Sequence, residues 1–119
     1  MKPLMLIAAS VLVAAVAGAQ TPAPAQPAAP AGNAETGKKL WVSAGCWQCH
    51  GYEAQGGAAG PRLAGRNLPF AGVSAYVRKP TNQMPLYTEK VLPNAELAHI
   101  YAYIQSRPAP ALNIPLLQK

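Results

Sequence analysis

Cys46 and Cys49 are the only two cysteines of the chain, two residues separate them, and His50 follows directly. Two thiols and an imidazole at this spacing support three chemistries. They can ligate a zinc ion, cycle between dithiol and disulfide, or carry a covalently attached group. A structural zinc site needs four protein ligands. His99 is the one other histidine, and the usual second close-spaced ligand pair is absent. A redox-active Cys-x-x-Cys belongs in a βαβ setting. No stretch of this chain alternates well enough to be called a strand. A disulfide across so short a loop contributes little chain entropy, and it leaves His50 without a role.

Cys-x-x-Cys-His is also the attachment sequence of a c-type haem. Sulfurs on adjacent turns can form thioethers with two vinyl groups along one porphyrin edge. The histidine next in sequence then projects over the ring face, where its imidazole can ligate iron.

The elements that must position this motif follow from the rest of the chain. Lys2, the uncharged run from Pro3 to Ala19 and its small-residue end describe a secretory signal peptide at residues 1–19. Cleavage after Ala19 exports the protein to the periplasm. The alternative is an uncleaved segment that anchors it to the inner membrane, since the run reaches the bottom of the spanning range, about 17 residues. Residues 20–33 are almost wholly Ala, Pro and Gln, an extended spacer. The folded domain spans 34–107, and a Pro-rich tail with Ile114, Leu116 and Leu117 occupies 108–119.

Without Lys2 the formal net charge falls from +6 to +5. The basic residues are scattered and form no nucleic-acid motif, so no nucleic-acid partner is inferred. Exposed positive charge favours acidic partners.

Three helices are expected. The first runs from Ala34 to Ala44, with Asn33 as cap and Gly37, Leu40, Trp41 and Ala44 on one face; Gly45 ends it. The last follows Pro93-Asn94, a break and a cap, and places Leu97, Ile100, Tyr101 and Ile104 on one face. A weaker one covers Pro69 to Lys79. Between them lie Gly-rich and Pro-rich loops. Long loops in a compact domain are unusual, and they make sense if they wrap a central group. The fold class is all-α. A domain this small, rich in Gly, Pro and Ala, needs a staple or a bound group to supply its core.

The segments GKKLWVSAGCWQCHG, GPRLAG, QMPLY and ELAHIYAYIQSRP together resemble the small mono-haem class I c-type cytochromes over residues 34–107. The resemblance implies the cytochrome c fold, three or so helices with long loops wrapped around one covalent haem c. It implies a contact between the first and last helices that matches Gly37 and Trp41 against Tyr101. It makes the Pro61 carbonyl the acceptor for the His50 ring, with Leu63 packing on the haem.

Met84 is the one methionine beyond the signal segment, and it lies in a Pro-bounded loop where no helix face demands an apolar residue. With the haem motif upstream, it is the expected second axial ligand; His99 is the rival. Arg62, Tyr87 and Asn82 are candidates for the haem propionates. Two strong axial ligands leave no open position at the iron, so electron transfer is expected and not catalysis. The expected protein is therefore an exported one-electron carrier whose partners are redox proteins with acidic docking surfaces. The alternative is a tightly bound haem c acceptor subunit of a periplasmic dehydrogenase or sulfur-compound oxidase. Membrane association requires that the N-terminal segment be retained.

Overall fold

The computed structural model describes residues 28–109. The signal segment, most of the Ala/Pro spacer and the tail beyond Ala109 lie outside the described residues. Four helices follow one another: α1 (Ala34–Ser43), α2 (Trp47–His50), α3 (Phe70–Arg78) and α4 (Asn94–Ser106). Among the described residues there is no strand, and no helix is long and apolar enough to cross a membrane.

Local chemistry sets the ends of α1. The Asn33 side chain accepts from the Thr36 N–H at 2.8 Å, and Glu35 sits in the first turn, where the helix dipole favours an acid. At the other end Gly45 adopts φ +79. Its N–H bonds to the Val42 carbonyl and the Cys46 N–H to the Trp41 carbonyl, both at 3.1 Å. This paired closure is a Schellman motif. It stops the helix and delivers Cys46 at a fixed place. α3 starts after Pro69, whose ring presets φ at −69.

α4 begins one residue earlier than expected. Asn94 is its first residue, Pro93 occupies the cap position, and no side chain caps the helix. The Asn94 side chain is engaged elsewhere, with Arg78 and Glu89.

The contact that organises the fold is α1 across α4. A Cβ at Gly37 would collide with the His99 carbonyl, and one at Gly32 with the Ala98 carbonyl. The backbones meet directly there. Next to this point Trp41 packs against Tyr103, ring centroids 6.0 Å apart and planes at 54°. Both rings are buried.

The aromatic partner is therefore Tyr103, not Tyr101 as expected. Tyr101 faces α3 instead, edge-on to Phe70 at 5.3 Å, and its hydroxyl donates to the Leu68 carbonyl. The reason is that α4 is buried on several sides. Leu97, Ile100 and Ile104 form the stripe that periodicity detects, and they face a large cavity. The side toward α1 presents the His99 backbone and Tyr103, opposite a glycine that carries no hydrophobic signal.

His99 is half-buried on α4, and its Nδ1 accepts from the Asn33 N–H at 2.8 Å. It thus ties the start of α1 to α4.

Replacing Gly37 by Ala should lower the stability of the haem-loaded protein by about 2–3 kcal/mol, since backbone must move to admit the methyl group. Gly57→Ala should change it by less than about 0.5 kcal/mol, because the nearest atom to its new Cβ, the Cys49 carbonyl oxygen, stands at an ordinary 3.5 Å. Denaturant unfolding of both variants checks the contrast.

Candidate functional site

The Cys46–His50 segment is a single helical turn. The His50 N–H bonds to the Cys46 carbonyl at 3.1 Å and the Gly51 N–H to the Trp47 carbonyl at 2.9 Å. Cys46 itself has helical dihedrals. Residues three apart on a helix share a side, so the turn brings both thiols to one face. That is the physical reason for two intervening residues. Gly51, at φ +78, then turns the chain away.

Three aromatic side chains pin the carbonyls that flank this turn. The Tyr87 hydroxyl donates to the Ala44 carbonyl at 2.7 Å. The Trp41 Nε1–H donates to the Gly51 carbonyl at 3.0 Å, and the Tyr103 hydroxyl to the Tyr52 carbonyl at 2.7 Å. These donors come from the 79–93 loop, α1 and α4. Arg107 lies over the Tyr103 ring, 5.0 Å from its centroid, and pairs with Glu53 at 2.7 Å. The bond to Arg107 holds the Glu53 carboxyl below its ordinary range.

His50 is buried, and its Nδ1 lies 2.8 Å from the Pro61 carbonyl. A carbonyl can only accept, so the ring proton belongs on Nδ1. The lone pair left for ligation is on Nε2, the arrangement that orients a metal-binding imidazole. Pro61 is held close because the preceding loop packs hard on the turn. A Cβ at Gly60 would stand 2.9 Å from the Cys49 carbonyl oxygen.

Burial pushes the Cys46 thiol up to about 11, partly offset by a backbone hydrogen bond. Neither cysteine is in a disulfide. Among the described residues no three His, Cys, Asp or Glu side chains gather into a metal-binding cluster.

Cys46, Cys49, His50 and Met84 all line one cavity of about 940 Å³. That is the upper end of the range for bound organic ligands, roughly 300–1,000 Å³. Its walls are largely apolar, with Leu63, Val73, Val77, Leu97, Ile100 and Ile104 among them. Exposed Gln48, Tyr76 and Gln83 also line it, so it reaches the surface. Donor set and walls fit a haem: two thiols on one side of a turn, one oriented imidazole, one thioether, and a hydrophobic enclosure.

Met84 is half-buried in the 79–93 loop. The Tyr76 hydroxyl and Thr81 Oγ1, 2.8 Å apart, hold the start of that loop, and the Tyr87 N–H reaches the Val77 carbonyl at 3.2 Å. Asn82 lines the cavity with φ 58, a conformation that Asn tolerates better than most residues.

Two expected propionate partners stand differently. Arg62 is exposed and off the cavity wall; Arg66 is on it. Tyr87 lines the cavity, but its hydroxyl donates to Ala44. Burial, with the nearby Cys46 and Cys49, raises its phenol above the ordinary range. The sequence reading missed Trp41 and Tyr103 as ties to the turn. The available signal was that a buried indole or phenol needs a hydrogen-bond partner. Trp47, in a variable position of the motif, stacks on Tyr52 with centroids 4.4 Å apart.

An all-α domain whose Cys-x-x-Cys-His turn opens on a large apolar cavity is a small c-type cytochrome, a haem-binding electron-transfer protein. A family model described as cytochrome c oxidase, cbb3-type, subunit III, matches residues 32–104, more than half of the chain, which therefore belongs to this family. The chain is similar to the cytochrome c subunit of 4-cresol dehydrogenase [hydroxylating] from Pseudomonas putida, 34% identical over 76 residues. The match covers 64% of this chain and 64% of that relative's length. No solved structure matches.

Tyr87→Phe and Tyr103→Phe should each lower stability by about 1–2 kcal/mol, because each leaves a carbonyl beside the motif without its donor. The expected signature is a lower denaturation midpoint at unchanged slope.

Proposed function

We propose that residues 34–107 form a one-electron carrier with a single haem c, bound through thioethers at Cys46 and Cys49 and ligated by His50 Nε2 and the Met84 sulfur. The observation that carries this reading is the convergence of these four side chains on one apolar cavity, with His50 Nδ1 fixed on the Pro61 carbonyl. When bound, haem supplies a metal centre that takes up and gives back one electron between its ferric and ferrous states.

The chain's own residues set the conditions for that exchange. Pro61 keeps the imidazole in one tautomer and one orientation. Leu97, Ile100 and Ile104 keep water from the cavity floor. The thioether of Met84 is a soft neutral ligand that favours the reduced state relative to a second imidazole. Arg66, on the cavity wall, offers positive charge to an acidic ligand group.

Export to the periplasm, with cleavage after Ala19, is part of the same reading, since the signal-peptide pattern precedes the domain. The partner is a redox protein with an acidic docking surface. Lys79 and Lys90 are exposed beside the Met84 loop and support this, although neither lines the cavity. Lys38 and Lys39 are exposed on α1.

A second reading, an acceptor subunit held by a dehydrogenase, is supported by two observations. The relative from Pseudomonas putida is the cytochrome c subunit of a dehydrogenase. Leu86 and Val91, in the same loop as Met84, are 59% and 68% exposed. Purification from the native source separates the readings. A free carrier elutes alone and exchanges electrons at a salt-sensitive rate; a subunit elutes with its dehydrogenase.

The denatured protein should carry the mass of one haem, and Cys46→Ala/Cys49→Ala should carry none. Met84→Ala should abolish the methionine–iron charge-transfer band of the ferric protein and let the ferrous protein bind carbon monoxide readily. An unchanged spectrum in Met84→Ala removes Met84 as ligand.

A further inference from the structure

Met84 sits in the connection between α3 and α4, where no helix or strand ladder fixes the backbone. One side chain spans the downstream half of that connection. From the last turn of α3, Arg78 Nη1 donates to the Tyr87 carbonyl at 2.8 Å. Its Nη2 donates to the Leu92 carbonyl at 2.7 Å and to Asn94 Oδ1 at 2.9 Å. Asn94 Nδ2 in turn donates to Glu89 at 3.0 Å. One guanidinium thus holds the loop at two carbonyls and holds the first residue of α4.

The cost of this arrangement is visible in the same side chain. Arg78 Nε is buried and has no hydrogen-bond partner among the described residues. Unpaired buried N–H groups are rare in folded proteins. A surface arginine would turn that group to water. Here three fixed acceptors hold the planar fork in place, and no other cationic side chain has the geometry to reach all three. Among the described residues Arg78 makes no ion pair, and the carboxylate partner of an arginine is Glu53, with Arg107.

We propose that Arg78 is a positioning residue for Met84. It clamps the loop onto α3 and so sets where the thioether is presented to the cavity. This rests on the reading of Met84 as an axial ligand. The upstream tie, Tyr76 to Thr81, and the Tyr87 bonds to Val77 and Ala44 remain when Arg78 is removed. Loss of the clamp therefore opens the loop without dismantling the fold. A larger open population raises the apparent affinity for any competing ligand in proportion.

The test is an imidazole titration of the full-length, haem-loaded ferric protein, followed by loss of the methionine–iron charge-transfer band. Arg78→Gln should bind imidazole about tenfold to a hundredfold more tightly than the unaltered protein, having lost hydrogen bonds from a charged donor. Arg78→Lys should fall between the two. Asn94→Ala, which removes one acceptor and leaves both carbonyls, should shift in the same direction by a smaller factor. Glu35→Gln, at an exposed position in the first turn of α1, should leave the affinity unchanged.

The proposal is overturned if Arg78→Gln binds imidazole no more tightly while circular dichroism shows it folded, even when its denaturation midpoint is lower. That result would leave Arg78 a purely structural residue. If Arg78→Gln does not fold, Asn94→Ala decides, and an unchanged affinity there overturns the proposal. If the unaltered protein has no charge-transfer band and Met84→Ala leaves its spectrum unchanged, the ligand reading fails first, and the clamp fails with it.

Discussion

A side chain at Gly37 would stand where the His99 carbonyl of α4 already is. The absence of that side chain lets two helix backbones touch, and most of the site depends on this contact. It brings Trp41 and Tyr103 side by side in the core. From there each ring reaches outward, Trp41 to the Gly51 carbonyl and Tyr103 to the Tyr52 carbonyl. The end of the Cys46–His50 turn is thus fixed from the helix crossing. A shift of the crossing would be transmitted to the motif through groups that have no other slack.

The second feature of the architecture is that α4, away from α1, meets α3 where Tyr101 packs on Phe70 and otherwise faces open space. Leu97, Ile100 and Ile104 look across a cavity toward α3 and the loops. A domain of this size with few large aliphatic residues buries little apolar surface on its own. These side chains are already buried, and a large apolar group placed in the cavity would extend the core they belong to. Held covalently, as proposed, it would remain on the unfolded chain, and it would stabilise the fold by the apolar surface it buries against these walls. Cofactor site and hydrophobic core are in this sense one region of the molecule.

Local chemistry was the legible part. Asn33 and Gly45 bound α1 through their own backbone and side-chain preferences, and these act within a few residues. The haem-attachment spacing is legible for the same reason, because one helical turn contains it. Periodicity found the Leu97, Ile100 and Ile104 stripe, and the family resemblance placed Tyr101, not Tyr103, at the helix crossing. A hydrophobic period identifies one face, and α4 buries several. Arg62 and Arg66 differ by one turn's worth of residues in a loop without a period, so nothing in the chain ranked one over the other. Arg78 was invisible as a loop contact because its partners at Tyr87 and Leu92 are backbone carbonyls, which every residue has.

The bonds that complete the site differ greatly in the length of chain they span. Those within the Cys46–His50 turn link positions three or four apart. Tyr87 to Ala44 spans 43 positions, Tyr103 to Tyr52 spans 51, and Asn33 to His99 spans 66. Closing a long loop costs more chain entropy than closing a turn, and contacts distant in sequence form later. The site therefore combines closures of very different entropic cost. The bonds inside the turn that carries both thiols and the imidazole close short stretches of chain, while those that tie it to α4 and to the wall that carries Met84 close long ones. The Tyr87 hydroxyl is the latch between the two, since it joins the Met84 loop to the residue at the head of the turn.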